Sequence, residues 1–517
     1  MRVIGNDLDR PRRKRVVASG AITKGDPVTF STTNGTYSKI SNTTESLDKS
    51  HAFYTSSFEN EHITYDKANN RFVAVFTTGT SSVGQLYVAV GQYVLNSGIA
   101  WGIAVPVETN TTSSTWVYYD SYRERVVLLW TETGGGYARV GAVQASSAFN
   151  DSITFANTKT LIDTVGVAYS QVAAFDESTN KALVVFNNTS GGSYTSYVSQ
   201  ATVDGSDAIS FTAKAQWTTA DIVQPDLVKA VHNNEHYFAL IYRDGTSGQY
   251  DRPKIQNFRF NGNNVEVCGG TYIETGNNSG VNPNIAFNPD LEEFCATYIR
   301  AASGGCVVAQ RLTATGTGTG ITLQKQGTVE VLNNDGNSGV AYVAYHAVGK
   351  KYVIVYYSTS GSSNVNGGAY YIGKFGSNNQ FAAEQTQVSN GVAINPSQAV
   401  TMNDEGRNTI VYDPDSKQVI ALLDNASGVY GQTISINVTS TTLESNNFIG
   451  IATSTVADGE VLELTTQGGI STALANLKVG KQYYVQHNGS LGVGETSLEP
   501  VVEAGIAISE TELIVKG

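Results

Sequence analysis

The chain has 517 residues and a formal net charge of −12, with 10% aromatic and only 15% charged residues. An acidic body of this kind argues against a general nucleic-acid binder, and three cysteines (Cys268, Cys295, Cys306) are too few for a disulfide scaffold and read as free, buried thiols. With no 18-residue apolar stretch and no apolar h-region near residue 1, neither a membrane span nor a Sec-type leader is expected.

The charge is unevenly spread. Residues 1–15 hold Arg2, Arg10, Arg12, Arg13, Lys14 and Arg15 against Asp7 and Asp9, a net of +4, so the remainder carries −16. This segment reads as a basic tail. It has two readings, a solvated tail or a docking element (Arg10, Arg12, Arg13, Lys14, Arg15) for an acidic partner. Residues 16–45 follow. Within them, 17–28 places small residues before an apolar one (Ile22), then a Gly turn and Val28.

From residue 46 to 444 one phrase recurs. Tyr65-Asp66 precedes Arg71 and the run Phe72 to Phe76; Tyr119-Asp120 precedes Arg125 and Val126 to Trp130; Phe175-Asp176 precedes Lys181 and Ala182 to Phe186. Phe287-Asn288, Tyr345-His346 and Tyr412-Asp413 open three later copies, and Ala230-Val231 opens a degenerate one, so there are seven. A fixed period near 56 residues, filled with short strands and Gly/Asn/Ser/Thr turns, is the signature of a radial β architecture. The apolar run in each copy is continuous rather than alternating. That predicts a strand buried on both faces, as between neighbouring blades. The Asp opening each turn is expected to bond backbone N–H groups two residues on and fix the hairpin, rather than to form a ring of metal or substrate carboxylates. The Thr/Gly run 313–320 reads as a low-complexity loop.

After residue 444 the phrase stops. Residues 445–517 hold short alternating strands with Asp458-Gly459 and Asn488-Gly489 hairpin signals. The stretch 451–461 reads like 17–28. The expectation is an all-β chain: a seven-bladed β-propeller (46–444) inserted into a small β domain built from both chain ends (16–45 and 445–517).

Two features carry a family resemblance. One is the Tyr-Asp-x4-Lys/Arg repeat with its apolar strand. The other is the terminal module with Asn447-Phe448-Ile449-Gly450-Ile451-Ala452, Tyr483-Tyr484-Val485-Gln486, Asn488-Gly489-Ser490-Leu491 and Ala504-Gly505-Ile506-Ala507. Together they resemble virion structural proteins of tailed phages, of the tail-fibre or tail-associated kind. The resemblance implies a virion location, other virion subunits as partners, and several copies per particle. It leaves head and tail positions both open.

Catalytic signatures are sparse. Ser113-Ser114-Thr115-Trp116 lacks the Asp and Gly of a sialidase-type turn. His232 and His236 lie in a strand-turn context, where their spacing does not set two metal ligands on one face. Glu292-Glu293 reads as solvated turn charge. The expectation is no enzyme, no cofactor and no metal. Binding is the live functional class, because propeller loops are held by a rigid scaffold. The candidate host-glycan or receptor contacts are Tyr137, Tyr194, Tyr197, Tyr250 and Tyr430. The alternatives are a purely architectural capsid or tail decoration (head-fibre) protein and, ranked last, a propeller glycoside hydrolase.

Overall fold

The computed structural model describes residues 13–31, 35–40, 46–47, 51–54, 58–78, 84–94, 98–145, 151–155, 158–163, 167–190, 193–245, 252–274, 280–300, 305–333, 338–347, 350–358, 367–376, 378–383, 392–393, 400–401, 409–416, 418–425, 431–437, 443, 446–486, 489–493 and 501–516. The chain is all-β, built from many small antiparallel sheets. The one helical element among the described residues is the 3-10 turn Gly318–Gly320. It divides into two compact units, Met1–Glu45 with Thr439–Gly517, and Ser46–Val438.

In the larger unit each repeat is a meander of four strand positions. The first strands are Phe58–Asp66, Val105–Asp120, Val167–Asp176, Ile222–His232, Gly280–Asn288, Ser338–His346 and Ile410–Asp413. The second strands begin at the repeat's basic or polar residue: Arg71–Thr78, Arg125–Glu132, Lys181–Ser190, Glu235–Asp244, Glu293–Arg300, Lys351–Ser358 and Gln418–Asn425. Each pairs antiparallel with the first strand before it and the third strand after it. The first two repeats share a nine-stranded sheet, because Val105–Asp120 pairs with both Gly84–Val94 and Arg125–Glu132. Consecutive first strands pack side by side, and the seventh packs against the first. The last sheet takes its outer strands, Ser46–Leu47 and His51–Tyr54, from the start of the unit, both paired with Gly431–Asn437.

The second strands are buried on both faces, as their sequence requires. Phe72 to Phe76 and Val126 to Trp130 are all 1% exposed or less. Neighbouring sheets interleave these side chains in shared cores: Val73 and Val75 pack with Val126, Leu128 and Trp130, and Phe72, Ala74 and Phe76 pack with Ile420 and Leu422 of the seventh repeat.

The turns between first and second strands obey one rule. The buried Asp accepts from backbone N–H groups inside the turn: Asn69 to Asp66 (3.2 Å), Tyr122 and Arg123 to Asp120 (both 3.0 Å), Ser178 to Asp176 (3.1 Å) and Asp415 to Asp413 (2.8 Å). Asn288 does the same for Asp290 (3.0 Å). The turn closes with a left-handed residue: Asn70, Glu124, Asn180, Glu292 and Lys350 have φ between 49° and 56°. The fourth repeat is degenerate for a physical reason. Its turn is the two-residue Asn233-Asn234, both at positive φ (50° and 64°), which needs no capping carboxylate. Because Asn tolerates the left-handed region and Glu does not, Glu124→Asn is expected to raise stability by about 0.5–1 kcal/mol, read as an increased midpoint in urea.

The smaller unit holds two sheets. In the first, the strands run in the order Arg13–Val17, Val461–Thr466, Phe448–Ala452, Pro27–Ser31, Thr36–Lys39. N-terminal and C-terminal segments therefore interleave in one sheet, over a core of Val16, Ala18, Ile22, Val28, Ala452, Leu462 and Leu464. The second sheet contains Ile470–Ser471, Leu513–Val515, Val502–Ala507, Gln482–Val485 and Leu491–Gly492. Ile40, Phe448, Ile451, Leu477, Tyr483 and Leu513 belong to its core.

Several expectations are corrected. Arg13, Lys14 and Arg15 stand in a strand, not a tail, with Arg13 paired to Glu463 at 2.8 Å; Arg10 and Arg12 lie outside the described residues. Thr313–Thr315 end the strand Cys306–Thr315 rather than forming a loop. Glu293 is not solvated: it is 2% exposed and paired with Arg311 at 2.7 Å. The three cysteines are free and buried, as read from the sequence.

Candidate functional site

The repeated residues touch neighbouring repeats. The Tyr before the Asp reaches back to the preceding turn: Tyr119 Oη accepts from Ala68 N (3.2 Å) and Tyr345 Oη donates to Asp290 (2.8 Å). Tyr65, in the first repeat, donates to Asp415 in the seventh (2.6 Å). The basic residue reaches forward to the outer turn of the next repeat. Arg71 meets Asp151 (2.9 Å), Arg125 meets Asp207 (2.9 Å), and Lys181 donates to Gly262 O (2.8 Å) and Asn263 (3.0 Å). The fourth repeat inverts the sign, with Glu235 accepting from Gly318 N (2.6 Å). Its histidines serve as clasps: His232 meets Glu292 at 2.8 Å and His236 meets Asp176 at 3.3 Å. Among the described residues no group of three His, Cys, Asp or Glu could hold a metal ion.

These tyrosines hold their protons tightly. Burial, then the hydrogen bonds and charges of Asp415 and Asp413, raises Tyr65 far above its ordinary value; burial, then Asp290, does the same for Tyr345. Tyr119 is pushed up to about 12 by burial and the charge of Asp66. A folded-state value above the unfolded value of about 10 means a contribution that is complete below pH ~10 and is lost as the pH rises through the folded-state values. Unfolding midpoints should therefore fall steeply above pH 10. Tyr65→Phe combined with Tyr345→Phe should flatten that fall; an unchanged slope would contradict the assignment.

A second periodic feature lies in the first strands, where a register shift precedes a buried polar or aromatic side chain. His62 Nδ1 accepts from Val117 N (3.2 Å), and Trp116 donates to Ala173 O (2.7 Å). Asp226 accepts from Ile285 N (2.9 Å), and Asn284 accepts from Val343 N (2.7 Å). Side-chain bonds thus stitch four of the first strands to the next. The sequence held a signal for this, a polar residue four to six positions before the last residue of the first strand in several copies (His62, Gln171, Asp226, Asn284), but the phrase that follows masks it.

The five candidate tyrosines separate. Tyr137 sits on the strand Gly135–Gln144, its ring stacked beside Trp130 (centroids 6.2 Å apart) and under the Lys159 ammonium (4.6 Å). Tyr197, on Ser193–Val203, is likewise stacked beside Phe186 (5.8 Å) and under Lys214 (4.6 Å). Each ring thus already carries a lysine over one face from within the chain, and a sugar stacking on that face would have to displace it. Those lysines are themselves anchored, Lys159 to Glu108 and Glu132, Lys214 to Asp163. Tyr194 is 40% exposed at the start of its strand. Tyr250 and Tyr430 lie outside the described residues. The strand ends opposite the Asp turns also carry Tyr272 with Asp244 (2.8 Å) under Lys254, and Tyr298 with Glu274 (2.7 Å) beside Arg300. A tyrosine, a cation and a carboxylate therefore recur in four consecutive repeats.

No family model and no curated protein matches the sequence. Among solved structures, the chain is similar to Sqt1 from Chaetomium thermophilum (10% identity, TM-score 0.42, covering 74% of this chain and 97% of that one). It is also similar to the Dos1 propeller (9%, 0.39, 81% and 95%) and to the Penicillium chrysogenum α-L-arabinanase complexed with arabinobiose (10%, 0.37, 63% and 93%).

Proposed function

We propose that the chain is a non-enzymatic structural protein of a tailed-phage-type particle, in which Ser46–Val438 is a seven-bladed β-propeller displayed by the small unit. One observation carries this reading: the two ends of the chain interleave in a single sheet, so the long unit between them leaves and returns through one small β unit, as an anchored display element must. The likeness of the terminal module to virion proteins supplies the setting. Contact with a host surface falls to the turns where the repeats differ, with Tyr194 the exposed candidate. Several copies per particle would turn weak contacts into avid attachment.

An architectural reading is favoured by one observation, the anchored lysines that already lie over the rings of Tyr137 and Tyr197. The experiment that separates the two is made on purified particles. Mass spectrometry should find this chain in many copies, and particles carrying a chain deleted for 46–438 should keep the small unit but lose adsorption to host cells. Undiminished adsorption would leave the architectural role; absence of the chain from particles would sink both.

A further inference from the structure

Three junctions between consecutive first strands are closed by the same kind of bond. His62, Asp226 and Asn284 are each the first residue back in register after the shift in its strand. Each accepts from a backbone N–H of the following repeat, three positions before the end of that repeat's first strand: Val117 before Asp120, Ile285 before Asn288 and Val343 before His346. The acceptors differ in kind. Asn284 offers an amide oxygen, which accepts at any pH. Asp226 offers a carboxyl oxygen, an acceptor in both of its protonation states, which also takes a bond from the Asn284 amide (2.7 Å). His62 offers the ring nitrogen Nδ1. A ring nitrogen accepts only in the neutral imidazole, because the imidazolium carries a proton on both nitrogens.

His62 is 3% exposed, and its ring centroid lies 3.8 Å from that of Trp116. Trp116 is tied in turn to Ala173 O, so the imidazole is packed against a fixed neighbour with Nδ1 aimed at Val117 N. The charged residues on the strands around it stand mostly at the turn end. Asp66, Arg71, Asp120 and Asp413 lie there, four positions or about 13 Å along the strand, and each has its own partner in or beyond a turn. Tyr65 and Tyr412 occupy the same end. On Val105–Asp120, Glu108 is paired with Lys159, and burial keeps Tyr118 and Tyr119 neutral. Asp424 lies near the far end of Gln418–Asn425, and Glu59 and Glu61 are on the strand of His62 itself. Glu61, 1% exposed, is the carboxylate next to His62 in sequence. Such a neighbour favours a proton on the ring, and a protonated ring leaves Val117 N without its acceptor.

We infer that His62 makes the junction between the first and second repeats an acid-sensitive latch: protonation of its ring releases Val117 N and loosens this junction, while those closed by Asp226 and Asn284 stay shut. The inference goes beyond the attachment reading and stands whether or not the chain is found on particles. The closed latch needs a neutral ring, whereas the opened one takes up a proton with the ordinary histidine value of about 6.5. The latch is therefore at full strength above pH ~6.5 and weakens as the pH falls below it, its opening constant rising about tenfold per pH unit. Amide hydrogen exchange on the full chain, corrected for the intrinsic pH dependence of exchange, reads this at each junction. Between pH 6.5 and 5 the segment 113–119 should lose protection about tenfold per unit, and the segment 281–287, held by Asp226, should not. His62→Asn supplies the acceptor that Asn284 uses, so it should keep the protection at pH 7 and abolish the loss at pH 5. Global unfolding is a poorer readout, because His232 and His236 meet carboxylates and are favoured by protonation. Equal protection of 113–119 at pH 7 and pH 5 in the unsubstituted chain overturns the inference, and that comparison needs no variant to fold. A loss that persists in His62→Asn overturns it as well.

Discussion

Arg71→Met is expected to destabilise the larger unit by about 3–5 kcal/mol, because it leaves a buried carboxylate without its cation. Arg71 Nε lies 2.9 Å from Asp151 Oδ2, and the Asp151 side chain has no exposure while that of Arg71 has 11%. The contact joins the first repeat to the outer turn of the second, so the loss should be cooperative across both. A domain stability of about 5–15 kcal/mol makes this a large fraction of the whole. Adding Asp151→Leu should recover most of the loss, since a buried ion pair replaced by apolar groups of similar volume is close to neutral. Urea titration of the single and double variants reads both. A loss below about 1 kcal/mol in the single variant would place the pair in the solvated class.

Trp130→Ala should cost about 3–5 kcal/mol through lost burial and the cavity left behind. Trp130 has no exposure, stacks on Tyr137, and packs among Val73, Val75 and Val126 from two repeats. The same substitution should free Tyr137 on one ring face, seen as a rise in its accessibility to nitration. If Trp130→Ala cost no more than an exposed-strand substitution, about 0.5 kcal/mol, the two-faced burial inferred from the continuous apolar run would be wrong.

The sequence made some parts of this molecule legible and hid others. The Asp cap could be read because its partners lie two and three residues on, within one turn. The role of the basic residue could not, because Arg125 and Lys181 reach partners about 80 positions ahead, across a whole repeat. The pairing of chain ends was foreshadowed by the likeness of 17–28 to 451–461, which become each other's bonding partners. Tyr137 and Tyr197 read from the sequence as candidate glycan or receptor contacts. In a strand covered on both faces, alternation no longer tells which side chains are free, so their half-buried places beside an aromatic ring and under a lysine left no periodic trace. The histidines 232 and 236 had no motif to announce them either, since each partner belongs to a neighbouring repeat.

The most direct test of the proposed seven-bladed ring is the coupling between Tyr65 and Asp415, which stand in the first and seventh repeats, 350 positions apart, yet meet at 2.6 Å. A double-mutant cycle with Tyr65→Phe and Asp415→Ala isolates their interaction. A hydrogen bond to a carboxylate in this half-buried setting predicts a coupling of about 1.5–2 kcal/mol. Strict additivity of the two substitutions would contradict ring closure between the first and last repeats.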